Sequence, residues 1–179
     1  METNKANDYL MKKMIHKEAM KRISSQYALN GEQLAEYRKE LDWEEVSANT
    51  NISWTAAMIE RWSDQLDWKI FSRRANEAVL IPEIIERFKD RWDWRELSDN
   101  SDLKLSYDLV DKFIDRWDWE TLINRGWYHE GHDLYSVEFF NRYAQHIPME
   151  NIENSNLWEA IVEEEENSIK KEILLKPSK

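Results

Sequence analysis

His129 and His132 stand three residues apart, with Glu130 and Asp133 beside them and His146 further along the chain. Imidazole and carboxylate bind zinc and similar ions. On a helix, histidines at i and i+3 would share a face. Gly126 and Gly131 make this stretch a loop instead, and a loop gives that spacing no fixed geometry. The ligand set is also incomplete. The segment is therefore read as a polar loop extension, with His129 and His132 as weak metal candidates and no metal or cofactor expected.

Other chemistry is excluded more firmly. Three glycines cannot build a phosphate-cradling loop, and no cysteine is present to serve as nucleophile or thiolate ligand. There is no Gly-x-Ser-x-Gly elbow and no His-Glu-x-x-His. The chain is read as non-enzymatic, with no catalytic residues.

The aromatic side chains of the same segment have two readings of equal weight: anchors for a partner, or a cap on the gap made by the degenerate fifth unit. Trp127, Tyr128 and Tyr135 fall outside the repeat pattern set out below and have no core slot. Exposed aromatics are the usual anchors of protein interfaces. With His129 they form the first candidate partner-binding set. Trp54 stands at the start of its helix and is weighed as surface contact or local packing, with packing favoured. The second candidate set is the run Glu163, Glu164, Glu165 and Glu166.

Charge narrows the partner. The 179 residues include 25 basic and 36 acidic side chains, for a net charge of -11. Phosphate neutralisation needs a basic face, so direct nucleic-acid binding is not expected. Residues 1–25 carry six basic and three acidic side chains, whereas Met149 to Glu166 holds seven glutamates and no Lys or Arg. Such asymmetry can steer a charged partner. No apolar run is long enough for a signal peptide or a membrane span, so a cytoplasmic location without membrane contact is expected.

The elements that position these residues come from a repeat. Trp43, Trp68, Trp94 and Trp119 are spaced by 25, 26 and 25 residues, each preceded by aspartate. Two positions earlier stand Leu41, Leu66, Trp92 and Trp117; six earlier stand Tyr37, Trp62, Phe88 and Phe113. Nine earlier are Leu34, Ile59, Ile85 and Val110, and three later are Val46, Phe71, Leu97 and Leu122. Serine follows at Ser47, Ser72 and Ser98, until Ile123 breaks the run. A fifth, degenerate step puts Met149 in the tryptophan slot, Pro148 in the aspartate slot, Ile147, Tyr143 and Phe140 before them, and Ile152 after.

Each period reads as two helices. The longer carries Ile84, Ile85, Phe88 and Trp92 on one face. Its start signals are Ser53, Ser106 and Ser136 as N-caps and Pro82 in a first turn. The shorter begins at the Asp-Trp pair, where aspartate accepts from free amides of the first turn. So small a unit cannot bury its apolar face alone, whereas stacked copies can. The expected fold is all-α: a short right-handed αα-repeat solenoid of about five units with a ~25-residue period, capped by a helix at each end. Its structural core is assigned to Trp43, Trp62, Trp68, Phe88, Trp92, Trp94, Phe113, Trp117 and Trp119.

The expected organisation is an N-terminal capping helix and altered first unit at 1–33 and regular repeats at 34–125. A degenerate repeat with a loop insertion follows at 126–156, then a C-terminal capping helix and tail at 157–179. Asp8 to Ala28 is read as one helix ending before Asn30-Gly31, with Ile23-Ser24 in the slot of Val46-Ser47. Leu157, Trp158, Ile161, Ile169 and Leu174 suit the closing helix, and Lys176 to Lys179 are expected to fray. Arg87 with Asp90 and Lys112 with Asp115 have the spacing of solvated ion pairs on a helix.

The phrases WDWRELSDN and WDWETLINR close units that end FKDR and FIDR. They resemble the tandem Trp-Asp-Trp, Leu-Ser-x-Asn helical repeats found in many proteins. The resemblance covers residues 34 to 125 well and 126 to 155 poorly; its best copies are Trp92 to Asn100 and Trp117 to Asn124. Residues 68 to 74 depart from it, with Phe71 for Leu and Arg74 for Asn. It implies a helical repeat fold and a binding role, and brings no active site with it.

Two functions follow as expectations. One is a protein-binding module that recognises a protein or peptide through the repeat surface and the 126–135 insertion. The other is an acidic inhibitor, a nucleic-acid mimic or an immunity or counter-defence protein, whose carboxylates block a basic enzyme or toxin. A monomer is expected in either case.

Overall fold

The computed structural model describes residues 2–126 and 134–175. It is all-α: eleven α-helices and no strand among the described residues. The chain divides into two compact units, Met1–Trp92 and Asp93–Lys179. The first holds α1 (Glu2–Gln26), α2 (Gly31–Glu36), α3 (Trp43–Ala48), α4 (Ala56–Trp62), α5 (Trp68–Arg74) and α6 (Pro82–Arg87). The second holds α7 (Trp94–Ser98), α8 (Tyr107–Lys112), α9 (Trp119–Ile123), α10 (Val137–Tyr143), a 3-10 turn at Ile152–Asn154 and α11 (Asn156–Leu175).

The Asp-Trp pairs start helices as their chemistry demands. Asp42, Asp67, Asp93 and Asp118 sit in extended backbone and accept from the amides of Glu45, Ile70, Glu96 and Thr121. The tryptophan that follows then turns back. The indole N–H of Trp43 donates to the Arg38 carbonyl at 3.0 Å, that of Trp68 to Ser63 at 2.8 Å and that of Trp119 to Ile114 at 3.1 Å. One dipeptide therefore satisfies a free amide at the new helix and a free carbonyl of the preceding turn. Trp43, Trp68, Trp94 and Trp119 are half-buried, and each packs ring on ring against the buried aromatics of its unit. Trp62, Phe88 and Trp92 in the first unit, and Phe113 and Trp117 in the second, are buried.

The recurrent serine joins successive periods. Ser47 donates to the Trp43 carbonyl at 2.6 Å and accepts from the Asp67 amide at 2.9 Å. Ser98 does the same with Trp94 at 2.6 Å and Asp118 at 3.1 Å. Ser24 at the end of α1 bonds Met20 and Asp42 in the same way, at 2.8 and 3.0 Å. The end of α1 thus takes the place of an earlier short helix, as the Ile23-Ser24 match implies. Asn49 closes the joint by donating to the carbonyls of Ser24 and Tyr27, both at 2.8 Å. In the first unit α3 packs against α1 and α5; in the second α7 packs against α9 and α10 against α11.

Several element boundaries differ from the expected ones. The helix that was to run through Trp92 ends at Arg87 and continues as a turn, in which both Arg91 and Trp92 donate to the Phe88 carbonyl. Thr55, not Ser53, caps α4, accepting from Met58. Ser106, Ser136 and Pro82 stand where expected. Asn30-Gly31 is a start as well as a stop: Asn30 caps α2, and Gln33 completes a capping box. Arg87 pairs with Glu60 rather than Asp90, and Arg91 with Asp64, so these ion pairs join successive periods.

The fifth step keeps three of its apolar slots and loses its cap. Tyr143, Ile147 and Ile152 are buried, but Phe139 replaces Phe140 in the innermost position. Pro148 offers no side-chain acceptor. Met149 is 57% exposed, Asn151 adopts a left-handed backbone (φ 59°), and the short helix shrinks to the 3-10 turn.

Candidate functional site

Arg125 immediately precedes the 126–135 insertion and is not among the residues singled out from the sequence. It is only 3% exposed. Its guanidinium donates to the carbonyls of Asn100 at 2.7 Å and Leu103 at 2.8 Å, while its Nη1 has no hydrogen-bond partner. Burial pulls its pKa below the usual arginine value, and Tyr135 and Asp99 act in the opposite direction. The signal was available. Arg125 lies six residues after Trp119, as Asn49 and Asn100 lie after Trp43 and Trp94. Like Asn49, it reaches carbonyls 25 and 22 residues earlier. Asn156, the first residue of α11, donates to the carbonyls of Asn124 and Arg125 at 2.9 and 2.6 Å, which fixes the same corner from the other side.

Tyr135 is the last residue of the insertion. This ring is 7% exposed, packs edge-on against Phe139 at 5.5 Å, and donates its hydroxyl to the Leu122 carbonyl. Burial raises its pKa, which Arg125 partly offsets. Tyr135 is therefore a buried anchor of the insertion and not an exposed contact. Of the two readings of Trp54, the favoured one, local packing, is the one seen: it is 8% exposed and packs edge-on against Phe71 at 5.5 Å, so it is not a surface contact. Trp127, Tyr128, His129 and His132 lie outside the described residues.

A cleft of about 390 Å3 opens beside this corner. Glu120, Asn124, Glu150, Asn151, Asn154 and Ser155 give it a polar lining, with Ile123 and Ile152 also on its walls. Carboxylates and amides of this kind suit hydrogen-bond donors and cationic groups. The lining includes no nucleophile paired with a base. Among the described residues no three His, Cys, Asp or Glu side chains come together as a metal site. His146 stacks on Trp119 with centroids 5.3 Å apart.

Glu163, Glu164, Glu165 and Glu166 are all exposed on α11. They are not equivalent. Glu164 accepts from the Val137 amide at 2.9 Å, at the positive end of α10, and Glu166 pairs with Lys170 at 2.6 Å. A second polar cluster lies between α8 and α10. Asp111 pairs with Arg142 and accepts from the Tyr143 hydroxyl at 2.8 Å. Arg142 and then Tyr143 hold the Asp111 carboxyl below its ordinary range, while burial and this bond raise Tyr143. The residues are 31 and 32 apart, so the short-range charge pattern of a helix did not disclose them.

No helix among the described residues is long and apolar enough to cross a membrane. No protein-family model, curated protein or solved structure matches the chain.

Proposed function

We infer that the chain is a non-enzymatic, protein-binding repeat module. Its period builds a right-handed αα solenoid of about five units. The repeat resembles the Trp-Asp-Trp, Leu-Ser-x-Asn helical repeats in this respect. The partner is a protein or peptide, recognised through the repeat surface and the 126–135 insertion.

One observation supports the reading above others. The polar side chains that recur with the period are spent on structure: aspartates cap helices, and Ser24, Ser47 and Ser98 bridge to the next Asp amide. The insertion is the place where the period breaks, and it is held at both ends by the buried side chains of Arg125 and Tyr135. The exposed run Glu163 to Glu166 favours the second reading, an acidic inhibitor of a basic enzyme or toxin.

The test is capture of partners from host lysate by the tagged chain, washed at low and high salt. A partner that survives salt and is lost on joint Trp127→Ala and Tyr128→Ala substitution supports the module. A basic nuclease or toxin that elutes with salt and is indifferent to those substitutions supports the inhibitor. Retention of a salt-resistant partner by the doubly substituted chain removes the insertion from the recognition site.

A further inference from the structure

The two terminal helices are longer than the packing that supports them. In α1 every side chain from Asn7 to Ala19 is exposed, and the first buried residue is Met20. In α11 every side chain from Val162 to Leu175 is exposed. Helical stability in proteins comes mostly from burying an apolar face, and an unpacked segment of under about 15 residues is marginal in water.

Both segments carry an apolar face with nothing on it. Leu10, Met11, Met14 and Ile15 share one side of α1, away from Met20, and each is more than half exposed. On α11, Trp158, Val162, Ile169 and Ile173 fall at i, i+4, i+11 and i+15 and form another stripe, also exposed. Their flanks are opposite in charge. Between Asn7 and Gln26 five basic side chains stand against two acidic; between Asn156 and Leu175 six glutamates stand against two lysines. Lys13 and Lys17 on α1, and Glu163 and Glu165 on α11, have no ion pair among the described residues.

We propose that α1 of one copy packs on α11 of a second copy, joining chains head to tail. The apolar stripes meet, and the lysines of one helix face the glutamates of the other. Like helices would not serve: α1 on α1 opposes basic flanks, and α11 on α11 opposes acidic ones. Such a contact is heterologous, so it closes a ring or propagates, and it departs from the monomer expected from the sequence. It is independent of what the insertion binds.

The test is sedimentation velocity on the full chain and two variants, one carrying Leu10→Asp with Met14→Asp, the other Ile169→Lys with Ile173→Lys. All four positions are exposed. The unsubstituted chain should gain mass with concentration beyond a dimer or to a closed ring, and lose it at high salt. Each variant alone should be monomeric. Their equimolar mixture should form a one-to-one dimer and stop there, because each partner retains one working end; that dimer also shows that the retained ends are folded. A monomeric unsubstituted chain, self-association of either variant alone, or a mixture that stays monomeric would each overturn the proposal.

Discussion

The Arg125 guanidinium donates to the Asn100 carbonyl at 2.7 Å, across the 25 residues that separate Asn49 from the Ser24 carbonyl it binds. An arginine has taken an asparagine's place in the repeat. The substitution brings a charge into a buried site and leaves one nitrogen without a partner. Arg125→Ala should destabilise the chain by about 2–4 kcal/mol, since two carbonyls lose their donor and a cavity opens. Arg125→Asn should cost less, because the amide can reach the same carbonyls without a desolvated charge. Denaturant unfolding of the two variants checks the order; equal losses would mean that the side chain acts by volume alone.

The serine bridge is the second joint. Ser98→Ala removes the acceptor of the Asp118 amide and should cost about 1–2 kcal/mol. Ser101, exposed and bonded only to its neighbour Asp102, is the control, and its alanine variant should stay within about 0.5 kcal/mol of the parent. Thermal or denaturant unfolding separates them. If the two variants unfold together, the bridge contributes nothing to the second unit.

These joints show what the sequence discloses and what it hides. Offsets that repeat were legible. The aspartate caps, the Ile23-Ser24 slot and the inward positions at Ile59, Ile85, Val110 and Leu122 are all where the period puts them. Contacts outside the period were not. Tyr135 reads as an exposed aromatic because the pattern assigns it no slot; Trp54 has no slot either, and packing is only the favoured of its two readings. Their burial depends on which neighbour covers them, Phe71 in one case and Phe139 in the other. The half-burial of Trp43 and Trp68 was hidden for a related reason: an indole N–H that turns back five residues leaves no trace in hydropathy. Helix ends were misplaced wherever two candidate caps lie close together, as at Ser53 and Thr55. Of the site itself, only the insertion's position was legible, through the break in the period. Its buried footings are Arg125, which bonds carbonyls 25 and 22 residues earlier, and the off-pattern ring of Tyr135.

Two tyrosines should resist ionisation. Burial raises Tyr135 and Tyr143 above the ordinary phenol value, and the bond to Asp111 raises Tyr143 further. A spectrophotometric titration of the seven tyrosines should therefore show a late group that ionises only as the chain unfolds. The linkage has a definite direction. The folded chain holds these protons more tightly than the unfolded chain, so their contribution is full below the unfolded value of about 10 and is lost above it. Tyr143→Phe should flatten the alkaline loss of stability. A single early transition for all tyrosines would contradict the burial of both rings.

Asp111 works at the other end of the scale. Its bonds to Arg142 and Tyr143 lower its carboxyl, so the unfolded chain binds its proton first as pH falls. The stabilisation is present above the unfolded value of about 3.9 and fades as pH drops through the lower folded value. Both Asp111 and Arg142 are well exposed, so solvent screening keeps the effect modest. Asp111→Asn keeps the shape and removes the charge. The variant should be slightly less stable near neutrality and converge with the parent in acid, and the gap should narrow with added salt. Unfolding midpoints measured from neutral pH down to pH 3 decide the matter. A gap that persists unchanged into acid would assign the loss to packing around Tyr143 and not to the carboxylate.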